Sequence, residues 1–296
     1  MLIGGETGSG KSGVCNAIIG SLAARPDVAL CGIDLKLVEL WPWRDRFTSL
    51  AVTPGEADHL LVELRNLIAA RTQFLQNHGH RKWRPEFGPW LAFMVDELAE
   101  LQALDADALA DAITEPDTAQ ATIRNGRSGQ QVRTGLLGSL ARMARACGVT
   151  IVAATQYPSA EVIDQQIRTQ LTIRIMLRVA SGEQVNVILG QGYASTVSPT
   201  SIAPGERGGL WIVGTPDAPR PVRARAHWVS DADVAARVAA TRHLTPDHAT
   251  VFGALDSDPT EVDLSDVLSG LDGHSSTVVV NAVAHALRTP NYIFGR

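Results

Sequence analysis

Two hydrophobic periods alternate along this chain, and the switches between them predict strands interleaved with helices. Met1-Leu2-Ile3 is a short apolar run that stops at a glycine-rich loop. Beyond the loop, Val14, Ile18, Ile19 and Leu22 recur at helical spacing until Arg25-Pro26-Asp27 ends them. Val28 to Ile33 reads as a buried strand closing on Asp34-Leu35-Lys36, polar residues expected at the ligand-facing edge of a parallel sheet. Thr53-Pro54-Gly55-Glu56 is a capping box with proline at the first helical position, and Leu60, Leu61, Leu64, Leu67, Ile68 and Leu75 continue it as a long amphipathic helix. Leu91 to Val95 is a strand that delivers Asp96-Glu97. From Gly135 to Gly148 a helix places Leu136, Leu140, Met143 and Cys147 on one face, and Val149 to Ala154 is a strand ending in Thr155-Gln156. Leu171 to Val179 and Gly209 to Val213 are further strands, with a weaker one over Arg223 to Val229. The alternation predicts an α/β fold: a mostly parallel sheet flanked by helices on both faces.

Composition narrows the class. The 296 residues are 45% hydrophobic and 19% charged, enough apolar content for a full core. No apolar run approaches the roughly 18 residues of a membrane span, and the first residues lack the pattern of a signal peptide. Cys15, Cys31 and Cys147 stand singly in apolar contexts and read as small buried hydrophobes. His78 and His80 flank Gly79 in a loop without a second ligand pair. With a net charge of −5, contact with nucleic acid would need local basicity. Thr118 to Ala160 provides it, since no acid interrupts Arg124, Arg127, Arg133, Arg142 and Arg145. Arg124, Arg127 and Arg133 fall on a polar excursion and are the candidate DNA contacts, against the alternative of a solvated surface. Around Ser230-Asp231 the chain turns acidic, which predicts one domain over 1–229 and a small acidic C-terminal unit or tail over 230–296.

Gly5-Glu6-Thr7-Gly8-Ser9-Gly10-Lys11-Ser12 fits the GxxxxGK[ST] phosphate-binding loop at every fixed position, between a strand and a helix as that motif requires. Successive backbone N–H groups would cradle phosphates at a positive helix N-terminus. Lys11 would reach the β- and γ-phosphates, and Ser12 would hold Mg²⁺. ATP is the expected ligand, with GTP the alternative. The strand end Asp96-Glu97 supplies the partner motif: Asp96 for Mg²⁺ through its water shell, and Glu97 to polarise an attacking water. Gln156 either contacts the γ-phosphate or its water, or only caps its strand. A kinase would need an acceptor site that no motif supplies.

Taken together, Gly5 to Ser12, Ile33-Asp34-Leu35-Lys36 with Glu39-Leu40, Val95-Asp96-Glu97, and Ala144-Arg145-Ala146-Cys147-Gly148 leading into Ala154-Thr155-Gln156 resemble the motor domain of the FtsK/SpoIIIE DNA translocases. The likeness continues through Pro158-Ser159, Val162-Ile163, Ile167-Arg168, Arg174-Ile175 and Ile188-Leu189, over roughly residues 1 to 215. Departures are Tyr157 for the family's arginine, Leu35 for its proline, and Gln184 and Asn186 for an aspartate and an arginine. The resemblance implies a RecA-like P-loop NTPase fold, a homo-hexameric ring and ATP-driven movement of double-stranded DNA. It also implies a cytoplasmic motor recruited to the inner face of the plasma membrane, with Arg145 as an arginine finger for a neighbouring subunit. Family members carry a further α/β domain upstream, so a membrane-anchored or upstream motor partner is expected. Within the family, the acidic tail looks most similar to the actinomycete conjugative or integrative-element branch. An ATPase subunit of a secretion or transfer machine, using ATP for assembly without moving DNA, is the alternative.

Overall fold

The computed structural model describes residues 1–104, 129–160, 163–215 and 220–253. Strands β1 (Leu2–Gly4), β2 (Val28–Ile33), β3 (Ser49–Ala51), β4 (Trp90–Val95), β5 (Val149–Thr155), β6 (Arg174–Met176), β7 (Gly209–Val213) and β8 (Val222–Arg225) form one sheet in the order β3-β2-β4-β5-β1-β6-β7-β8. The first six run parallel, and β7 and β8 return antiparallel at the β6 edge. Strand alternation decides the layers: Ala29, Cys31 and Ile33 of β2 join one core cluster, while Val28 and Leu30 join the other. Helices α1 (Lys11–Ala23) and α7 (Asp231–Thr241) cover one face through Val14, Ile18, Leu22, Val234 and Val238. The other face is covered by α2 (Pro54–Asn77), α4 (Gly129–Ala144) and α6 (Gly182–Leu189), through Leu60, Leu64, Leu137, Leu140, Val185 and Ile188. Shorter helices α3 (Leu98–Ala103), α5 (Gln165–Gln170) and α8 (His248–Phe252) complete the set among the described residues.

Several expectations shift by a residue or a turn. The Thr53 capping box forms in full, with the Glu56 N–H donating to Thr53 Oγ1 and the Glu56 carboxylate accepting from the Thr53 N–H. On α4 the buried stripe is Leu136, Leu137, Leu140 and Ala144, running on to Cys147, while Met143 is 40% exposed. The run Leu171 to Val179 keeps only Arg174–Met176 as strand, because Leu171 still bonds back to Ile167 in the turn closing α5. Beyond Leu177, whose N–H reaches Gly4 O at 2.8 Å, the chain leaves the sheet toward the phosphate loop.

No break in packing falls at 229/230. Ser230 caps α7, whose Val234 and Val238 are buried against the α1 face, and Arg237 Nη1 donates to Gly20 O at 2.8 Å. Thr48 Oγ1 reaches Pro246 O at 2.9 Å, and Thr245 Oγ1 reaches Asp45 O at 3.1 Å. The acidic opening of this segment is helix-capping chemistry, so residues 230–253 belong to the first body. The rest of the expected acidic unit, 254–296, lies outside the described residues.

Candidate nucleotide site

Sheet register brings three motifs to one edge. Gly4 pairs with Thr155 and Ala153 with Val95, so β1, β5 and β4 end almost level, with β5 in the middle. Each then delivers its next residues to the same side: the loop at 5–12, Gln156, and Asp96-Glu97. Ligands of open α/β sheets bind at such carboxyl ends.

Two glycines make the loop possible. Gly8 and Gly10 have φ of 77° and 100°, which side-chain-bearing residues rarely adopt. A Cβ on Gly10 would also lie 2.4 Å from Gly208 N, in the turn preceding β7. That turn is tied to the loop, since the Gly208 N–H donates to Ser9 O at 2.9 Å. Helix α1 starts at Lys11, so its open first-turn N–H groups face the cleft beside the loop. Glu6 pairs with Arg178, and Thr7 Oγ1 donates to Gln156 Oε1 at 2.7 Å.

Lys11 is buried and donates to both Asp96 Oδ1 (2.8 Å) and Asp96 O (2.9 Å), coupling the loop to β4. Burial opposes its charge, but the hydrogen-bonded Asp96 carboxylate, with Glu39 nearby, outweighs burial and holds the ammonium above the ordinary lysine range. Glu97, also buried, accepts from the Gln156 N–H at 2.9 Å and the Ala99 N–H at 3.4 Å, which fixes its carboxylate between β4 and β5. Ser12 Oγ donates to Glu39 Oε1. Burial pushes the Glu39 carboxyl above the usual glutamate range, against the lowering effect of that hydrogen bond. Ser12, Asp96 and Glu39 offer only hard oxygen donors, a chemistry suited to Mg²⁺ rather than to a softer metal.

Glu39 is the residue that sequence reasoning passed over as a ligand-side group. Asp34 was expected to face the ligand; it is fully buried, and its Oδ2 instead accepts from the Leu40 and Trp41 N–H groups at 2.8 and 3.1 Å. That turn swings Glu39 onto Ser12. Lys36 points to Glu100 at 3.0 Å rather than into the loop. Only the spacing from Asp34 to Glu39 hinted at this, and spacing does not reveal a contact across 27 positions.

The remaining site candidates divide. Arg133, expected to be an exposed DNA contact, has 0% exposure: two 2.7 Å hydrogen bonds join it to Asp58 of α2, and Nη1 donates to Leu104 O at 2.6 Å. A guanidinium fully consumed by a buried carboxylate has nothing left for a phosphate. Arg124 and Arg127 lie outside the described residues. Arg145, just beyond α4, is exposed, as is Arg142. The loop, Glu39 and Gln156 line one cleft of about 830 Å³, together with Arg207, Arg225, His227 and Trp228 from the β7–β8 side.

The FtsK/SpoIIIE family model matches residues 1–192, which contain every element of this edge from the phosphate loop to Gln156. The chain belongs to the FtsK/SpoIIIE family. It is 28% identical over 256 residues to the DNA translocase FtsK of Streptococcus pneumoniae, covering 79% of this chain and 29% of that protein. To the DNA translocase SpoIIIE of Bacillus subtilis it is 27% identical over 257 residues, covering 79% of this chain and 28% of that protein. This FtsK/SpoIIIE member thus spans under a third of the length of these curated relatives. Among solved structures, the pCW3 conjugation coupling protein TcpA with ATPγS superposes with a TM-score of 0.61 at 22% identity, over 82% of this chain and 64% of TcpA. The cytoplasmic domain of the type VII secretion ATPase EccC of Thermomonospora curvata gives 0.57 at 20% identity, over 84% of this chain and 28% of that one. These likenesses show the shared α/β fold.

Proposed function

We propose that this chain is an ATP-hydrolysing motor unit that moves double-stranded DNA through a ring of its own copies. The observation that carries the reading is the buried Glu97 carboxylate, oriented by the Gln156 N–H at 2.9 Å beside the Lys11–Asp96 pair. In this reading the loop backbone and Lys11 bind the triphosphate, Ser12 and Asp96 hold Mg²⁺, and Gln156 senses the γ-phosphate end. Glu97 accepts a proton from the attacking water. Mg²⁺, when bound, neutralises charge developing on the phosphoryl oxygens. Arg145, exposed on its own subunit, is available to a neighbour's site.

DNA contact would be electrostatic and blind to sequence, as transport along a duplex demands. With Arg133 buried, Arg124 and Arg127 remain its candidates. That burial also keeps open a second reading, an ATPase of a secretion or transfer machine that uses ATP for assembly. Linear duplex DNA separates the two. Stimulated ATP turnover that weakens steeply with salt supports the motor, and turnover indifferent to DNA supports the second reading. Among the described residues no helix is long and apolar enough to cross a membrane.

A further inference from the structure

The wall of the cleft beside the phosphate loop is built from Gly205, Arg207, Gly208 and residues 225–228, which lie beyond the segment that the family model matches. Backbone bonds fix this wall to the loop in a relay. The Gly208 N–H donates to Ser9 O, and the Ala226 N–H donates to Gly208 O, each at 2.9 Å. The close approach of Gly10 to Gly208 leaves the relay little room to shift, because even a methyl group at Gly10 would collide. Two residues past Ala226 stands Trp228, 79% exposed and lining the cleft that Lys11 and Ser12 line.

Among the described residues, part of the charge on this wall is uncompensated. Glu206 is taken by Arg223 at 3.1 Å and Glu6 by Arg178. Among the described residues no carboxylate pairs with Arg207 or Arg225, although both line the cleft. An exposed indole alone would be an ordinary surface residue. An indole and two arginines without a carboxylate partner among the described residues, lining one cleft with a phosphate cradle and tied to it by backbone hydrogen bonds, form a surface complementary to a base carrying a polyanion. Resting on the ATP reading of the phosphate loop, we propose that Trp228 stacks on the nucleobase of the bound nucleotide while Arg207 and Arg225 draw its anionic part into the cleft. The bicyclic indole overlaps a purine better than a pyrimidine, so this wall selects ATP or GTP over CTP and UTP.

Competition against a fluorescent ATP analogue on the full chain, with ATP, CTP and inorganic tripolyphosphate as competitors, tests this. Trp228→Ala is expected to weaken ATP about tenfold and to leave tripolyphosphate unchanged, because stacking acts on the base alone. Trp228→Phe should recover most of the ATP affinity, and the preference for ATP over CTP should collapse only in Trp228→Ala. Arg207→Ala with Arg225→Ala should weaken ATP and tripolyphosphate alike. ATP affinity unchanged in Trp228→Ala, or an equal loss for ATP and tripolyphosphate, overturns the stacking role. Lys11→Ala, titrated directly with tripolyphosphate by calorimetry, is the separate control: if it binds tripolyphosphate as tightly as the parent, the phosphate-loop reading fails instead.

Discussion

Lys11 and Glu97 share one site and predict different defects. Lys11→Ala removes the charge that meets the β- and γ-phosphates and also leaves the buried Asp96 without its 2.8 Å partner, so ATP binding itself should be lost. Glu97→Gln keeps an oxygen able to accept the Gln156 N–H but cannot take a proton from water. ATP should bind and persist, with turnover down roughly 10²- to 10⁴-fold, read by single-turnover hydrolysis beside equilibrium binding. Hydrolysis by Glu97→Gln at the parent rate would remove its assigned role. The cysteines give a second expectation at this scale. Burial pushes the Cys15 and Cys31 thiols up to about 12, and no cysteine is in a disulfide. Near pH 8.5 an ordinary thiol is about half ionised, whereas these stay neutral and shielded. Maleimide labelling should therefore be slow in the native protein and rapid in urea; fast native labelling of Cys31 would contradict the packing of β2.

At the level of elements, the Asp58–Arg133 pair joins α2 to α4 with both side chains fully buried. Asp58→Ala strands a buried guanidinium and should cost about 3–5 kcal/mol, seen as a lower urea midpoint. A loss under about 1 kcal/mol would mean that Arg133 finds water and is less enclosed than its geometry indicates. Thr53→Ala removes only the hydroxyl that accepts from the Glu56 N–H and should cost about 1 kcal/mol in the same assay. The contrast measures what burial adds to a polar contact.

For the whole molecule, the proposed ring predicts that subunits complete one another. Arg145 is exposed and unused by its own phosphate loop, as a residue acting on a neighbour's nucleotide should be. Lys11→Ala and Arg145→Ala should each be inactive, and mixing them should restore part of the ATPase activity, since an intact loop can then receive Arg145 from the adjacent subunit. Removing such a finger costs roughly 10³ to 10⁵ in turnover. Mixed rings that form, verified by sizing, yet stay inactive would exclude a role in trans, and Arg142 would be the next residue to test.

Local pattern alone determined much of this protein. The phosphate loop, β2 over Val28–Ile33, the Thr53 cap, β7 over Gly209–Val213 and the acidic end of β4 all depend on neighbours within a few positions, where glycine, proline and periodicity act directly. Tertiary structure decided what joins residues far apart in the chain. It consumed Arg133 in a pair with a carboxylate 75 positions away, and it placed Glu39 on Ser12 through a turn built by Asp34. It folded residues 230–253 onto α1 and brought Trp228 into the cleft that Lys11 lines. A charged side chain is written identically in sequence whether it ends in solvent or against a buried partner, because the difference lies in desolvation and distance, which only the packed chain supplies.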